Sequence, residues 1–129
     1  MNKILAEVSV GELLDKISIL EIKKEKIKDA KSLKFIEQEY NLLKAELDKN
    51  IKNDDKLNNL FNSLKEINSK LWIIEDDKRM CEKNKDFGEK FIKLSRDVHF
   101  LNDNRAKIKL EINNDTGSKI REIKEYTNY

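Results

Sequence analysis

The chain has 129 residues, of which 40% are charged, yet 27 Lys+Arg against 25 Asp+Glu leave a net charge of only +2. With no proline and three glycines, the turn-rich sandwiches and barrels, collagen-like chains and Gly/Pro low-complexity chains are excluded, and the length allows one domain. Leu, Ile, Val and Phe supply 38 residues, well above the roughly 20% level below which disorder sets in, so the composition predicts a single soluble all-α domain over 1–129.

Taken in chain order, the first residues, Met1 to Val8, carry Lys3 but no long apolar core, because Glu7 interrupts it; this is not the pattern of a secretory leader. Ile4, Ala6, Val8 and Val10 alternate, which suggests an extended arm or a short strand. Ser9-Val10-Gly11-Glu12 then reads as a capping box, with Ser9 as the cap and Glu12 reaching back. It opens a first helix over 9–29, whose apolar side is Leu13, Leu14, Ile17, Leu20 and Ile27. A second helix is predicted over 32–51, where Leu33, Ile36, Tyr40, Leu43 and Leu47 recur at three- and four-residue steps.

The clearest periodicity follows. After the polar start Asn53-Asp54-Asp55, the residues Leu57, Leu60, Leu64, Ile67, Leu71 and Ile74 set a register that Lys78 and Cys81 complete, predicting a helix over 54–83. Asp86-Phe87-Gly88-Glu89 is an acidic variant of the capping box. It precedes Phe91, Leu94, Val98, Leu101, Arg105, Ile108 and Ile112, a fourth helix over 86–113. The short polar link Lys83–Lys85 folds these two long helices back as an antiparallel hairpin. Asn113 to Gly117 forms a polar stop. The tail, 114–129, offers Ile120, Ile123 and Tyr126 either as a last helical turn or as an extended segment beside the N-terminal arm. Four apolar stripes are most simply buried in an antiparallel four-helix bundle.

No phosphate-binding or dinucleotide glycine loop, zinc-finger spacing or H-E-x-x-H occurs. Cys81 and His99 invite a nucleophile–base reading, but the hairpin offsets them by about eight residues, roughly 12 Å along the axis, against the ~3 Å a dyad needs. Positive and negative charges also balance segment by segment. That favours solvated helix faces with i,i+4 pairs over the basic stripe of a nucleic-acid partner. No run approaches the roughly 20 apolar residues of a membrane span, and one cysteine makes no internal disulfide, so the expected compartment is the cytoplasm.

A few charges do not fit a plain bundle. Trp72, Glu75, Asp76 and Arg79 share one side of the third helix. On the fourth, Ser95, His99, Asn102 and Lys109 form a flanking polar row, and Arg105 stands in the core register, where a charge is costly unless paired. Glu75, Asp76, Glu12 or Asp15 could supply the partner. Either Arg79 and Arg105 make ion pairs that fix helix register, with Trp72 as a core aromatic, or Trp72, Glu75, Asp76, Arg79, Asn102 and Arg105 line a site for a polar ligand or a protein partner. Glu12-x-x-Asp15 also resembles half of the carboxylate arrangement with which all-α nucleoside triphosphate pyrophosphatases hold magnesium; those enzymes need matched carboxylates on a facing helix, and here only Glu75 and Asp76 are offered, adjacent rather than spaced by a turn.

The segments S-V-G-E-L-L-D-K-I-S-I-L-E-I-K (Ser9–Lys23), K-L-W-I-I-E-D-D (Lys70–Asp77) and N-D-N-R-A-K-I-K-L-E-I-N (Asn102–Asn113) together resemble a family of small bacterial and phage all-helical proteins known as a domain of unknown function. The resemblance covers nearly the whole chain and implies no particular activity. It marks Glu12, Asp15, Lys16, Trp72, Glu75, Asp76, Asn102, Arg105 and Lys109 as the residues that define the family.

The expected function is therefore a non-catalytic helical binding or interaction module without a cofactor. Its expected partner is another protein or, through exposed apolar positions such as Ile22, Phe61 and Ile73, a second copy. The alternative is a small-ligand or Mg-dependent nucleotide site built on Glu12, Asp15, Glu75 and Asp76 with the arginines.

Overall fold

The computed structural model describes residues 2–120 and 122–129; Met1 of the N-terminal arm and Arg121 of the tail lie outside the described residues. The chain is an all-α bundle of four helices: α1 (Val10–Lys26), α2 (Ala30–Asn50), α3 (Asp55–Lys83) and α4 (Glu89–Thr116). Among the described residues there is no strand, and no helix is long and apolar enough to cross a membrane.

Local side chains decide where each helix starts and stops. Ser9 caps α1 by accepting from the Glu12 N–H at 3.1 Å. The other half of the expected capping box is missing, because the Glu12 carboxylate reaches Lys109 instead. α1 ends at Lys26, three residues earlier than expected, because Asp29 is taken as the cap of the next helix. Its carboxylate accepts from both the N–H and the hydroxyl of Ser32, at 2.9 and 2.7 Å. α2 therefore begins at Ala30, not at Ser32. Asp54 caps α3, accepting from the Leu57 N–H at 2.7 Å.

The expected boundaries of α4 shift at both ends. Asp86 does not cap it; its carboxylate accepts from the Gly88 N–H at 3.2 Å within the turn, and Gly88 is a cap without a side-chain bond. The helix then runs through the polar 113–116 stretch to Gly117. Gly117 has φ 69°, the left-handed conformation that closes a helix most cheaply in glycine, and both it and Ser118 return their N–H groups to the Asn113 carbonyl. The described residues of the tail beyond it and of the arm before Ser9 have no regular structure, and Ile4 is almost fully exposed.

α3 and α4 pack along their length as the antiparallel hairpin, with Lys56 beside Asp115 at one end and Lys78 over the Phe91 ring at the other. α1 is the hub, packing against all three other helices. It runs antiparallel to α4, since Gly11 meets Asn113 and Asp15 meets Arg105. α2 folds back along the outer side of α1, and its Leu47 joins Leu14, Ile17, Leu57, Leu64 and Ile112 in the core. Each such buried side chain contributes about 1.5–3 kcal/mol.

The residues expected to be exposed for self-association divide. Ile22 is 1% exposed and so not available, and Phe61 is half-buried against the core. Ile73 is 52% exposed. Cys81 is buried in the hairpin seam, as its register requires.

Candidate functional site

The site begins with a close approach. A Cβ on Gly11 would lie 2.6 Å from the Lys109 carbonyl oxygen, a backbone atom that moves only if a helix moves. Glycine lets α1 rest directly on α4, and its N–H donates to the Asn113 side-chain oxygen at 2.7 Å. That contact fixes the polar residues of α1 against those of α4.

One turn on, Asp15 is 1% exposed, and Arg105 holds it bidentately. The Arg105 Nε donates to Asp15 Oδ1 at 2.9 Å, and the terminal Nη2 donates to Oδ2. Asn68 of α3 completes the set, donating from Nδ2 to Asp15 Oδ1 at 2.9 Å and to Ser18 Oγ at 2.8 Å, while the Ser18 hydroxyl donates to the Asp15 carbonyl at 2.7 Å. Arg105 Nη1 reaches Asn102 Oδ1 at 3.4 Å. Among the described residues no buried side-chain nitrogen or oxygen lacks a partner. A planar guanidinium matched to both oxygens of a carboxylate is the geometry in which a desolvated pair is best tolerated. Asp15 raises the Arg105 pKa further, so the charge is permanent.

A second latch lies beside it. Lys109, 9% exposed at its side chain, donates to Glu12 of α1 at 2.7 Å and to Glu122 of the tail at 2.8 Å. Burial opposes its charge, but the two carboxylates outweigh burial and raise its pKa. Glu122 is held below the usual carboxylate range by Lys109. The tail continues along α4, where the Tyr129 ring lies edge-on to His99 and Phe100 and its hydroxyl bonds Asp103.

The remaining polar residues of α3 open outward. Ile19 and Ile22 of α1 and Leu71 and Trp72 of α3 form the apolar side of a groove of about 490 Å³, and Asn68, Glu75, Asp76, Arg79 and Arg105 supply its polar lining. Arg79 is exposed and among the described residues pairs only with Glu75 on its own helix, at 3.6 Å, so it ties no two helices together. Trp72 is half-buried, not a core aromatic.

The structure thus separates the sequence-derived set. Asp15, Arg105 and Asn102 form one hydrogen-bonded group and Glu12 joins Lys109. Trp72, Glu75, Asp76 and Arg79 share the groove with the Arg105 edge. Lys16 is exposed on α1. The facing carboxylates that a magnesium site would need are not assembled: α4 cations bind Glu12 and Asp15, and among the described residues no three His, Cys, Asp or Glu side chains converge on a metal position.

Sequence reasoning missed Gly11, Ser18, Asn68 and Asn113. Asn68 alone carried a signal, standing four residues after Leu64 and three before Leu71, on the buried stripe. No curated protein and no solved structure matches the chain. The three segments that carry the Asp15–Arg105 clamp and the groove lie within a single family match that spans residues 4–129, and the chain belongs to that family of unknown function, DUF6165.

Proposed function

We propose that the protein is a non-catalytic helical binding module of the cytoplasm, and that its recognition surface is the groove beside Trp72. The observation that supports this reading is a division of labour among the polar residues. Asp15 with Arg105 and Glu12 with Lys109 pair with one another in holding α1 to α4. The groove next to them combines an apolar wall with an open charged border, the composition of a site that takes a partner side chain or a ligand. Cys81, buried and without a disulfide partner, suits a reducing compartment.

Trp72 is the only tryptophan, so its fluorescence reports on the groove alone. Anilinonaphthalene sulfonate, a probe of accessible apolar surface, should bind the native protein with energy transfer from Trp72, and Ile19→Asp should abolish that binding. A thermal-shift panel of nucleotides with and without magnesium should be flat. A reproducible magnesium-dependent shift with a nucleotide would instead favour the Mg-dependent nucleotide site, because a ligand stabilises the state it binds.

A further inference from the structure

The groove beside Trp72 has a charge of its own. Arg105 is held by Asp15, and Arg79 and Glu75 pair with each other. Asp76 lies one turn after Trp72 on the same side of α3. It is exposed, and among the described residues it makes no ion pair or hydrogen bond. The stretch Glu75, Asp76 and Arg79 therefore carries one unanswered negative charge. Arg105 does not offset it. Its guanidinium shares Asp15 Oδ1 with Asn68, and Asn68 precedes Asp76 by eight residues of helix, about 12 Å, where salt screens most of an interaction between exposed charges.

The ring next to that carboxylate is open as well. Elsewhere in the chain a Lys or Arg side chain lies over the rings of Tyr40, Phe91, Phe100 and Tyr126, the closest being Lys24 at 4.2 Å from the Tyr40 ring centre. Indole attracts a cation more strongly than those rings do. Yet among the described residues neither a cation nor a second ring lies against Trp72. The apolar stem of a basic side chain would find Ile19, Ile22 and Leu71 beside it. The length of the groove favours a segment of polypeptide over a small amine. From Asn68 to Arg79 it follows α3 for eleven residues, about 16 Å, the reach of about five extended residues. At the Asn68 end, Arg105 keeps N–H donors beyond those given to Asp15 and Asn102, and these suit main-chain carbonyl oxygens.

We propose that the groove takes a basic segment of a partner protein, with a cationic side chain of that segment lying against the Trp72 ring and pairing with the Asp76 carboxylate. The assignment rests on the groove being the recognition surface and adds the chemistry of what it recognises.

Trp72 fluorescence of the full chain, titrated with an end-blocked pentapeptide of alternating leucine and arginine, tests this. The peptide should change the emission saturably and displace anilinonaphthalene sulfonate, and the same peptide with glutamate for arginine should do neither. Asp76→Asn should weaken the arginine peptide about tenfold, and Asp76→Lys should turn the preference toward the glutamate peptide. Asp48→Asn, the same change in an exposed pair on α2, should leave the affinity unchanged. End-blocked arginine alone should bind about tenfold more weakly than the peptide. Sulfonate binding that Ile19→Asp abolishes, together with no preference between the two peptides or one that Asp76→Lys leaves unturned, overturns the assignment while the groove stands. End-blocked arginine that matches the peptide overturns the segment in favour of a small cation. If the sulfonate shows no energy transfer from Trp72 in the native protein, the groove itself falls, and the assignment with it.

Discussion

Gly11 lies where α1 and α4 are closest, and any side chain there meets a backbone carbonyl at 2.6 Å. Overpacking of this kind costs about 1–3 kcal/mol, because the two helices must separate and the Gly11–Asn113 bond lengthens with them. Gly11→Ala should therefore lower unfolding free energy by about 2 kcal/mol in urea, whereas Gly88→Ala, where a Cβ meets only an Asp86 side-chain oxygen at 3.5 Å, should change it little. Neither Gly11 nor Asn113 announced this role. A glycine in a first helical turn reads as part of a cap, and an asparagine in a polar run reads as a stop, until the facing helix is known. Arg105 was visible as an anomaly because it interrupts an apolar register. Which of four carboxylates would take it depends on how α1 sits against α4, and helix periodicity does not carry that.

At the scale of elements, the long hairpin was legible because its two registers hold three- and four-residue steps over eight and seven positions, with only Lys78 and Arg105 not apolar. The helix ends were less so. Asp29 and Ser32 are both good caps, and the structure uses the first while binding the second to it. The polar 113–116 stretch looks like a terminator, yet α4 ends where Gly117 supplies a left-handed residue. Gly117→Ala should cost about 1–2 kcal/mol by forcing a Cβ into that conformation, measurable as a lowered denaturation midpoint with unchanged slope.

The tail is tied by Lys109 to Glu122, and its docking should depend on pH. Because Glu122 is held below its ordinary value in the folded chain, the stabilisation it gives is present above the unfolded carboxylate pKa near 4.3. It is lost as pH falls through the lowered folded value. The edge-on contacts of Tyr129 with His99 and Phe100 should loosen in that acid window, read as ring proton chemical-shift changes while the α1 and α3 amides stay protected. Glu122→Gln should loosen the tail already at pH 7.

For the whole molecule, the ion pairs fall into three groups. The first is the exposed same-helix pairs such as Lys44–Asp48 and Lys93–Asp97, worth a few tenths of a kcal/mol each. Lys65 ties α3 to Glu21 and Glu25 of α1 at 3.1 and 2.8 Å. The buried minority, Asp15 with Arg105 and Lys109 with its two glutamates, clamps the hub helix to the hairpin and so shapes the groove beside Trp72. That clamp is the centre of the account, and a double-mutant cycle on Asp15 and Arg105 tests it most directly. Arg105→Met alone leaves a buried carboxylate without its cation and should destabilise by about 3–5 kcal/mol. Asp15→Leu alone strands the guanidinium and should also destabilise. Asp15→Leu with Arg105→Met removes both charges and should recover most of the loss, giving a coupling energy above about 2 kcal/mol in urea unfolding. Additive losses, with no coupling between the two positions, would contradict it.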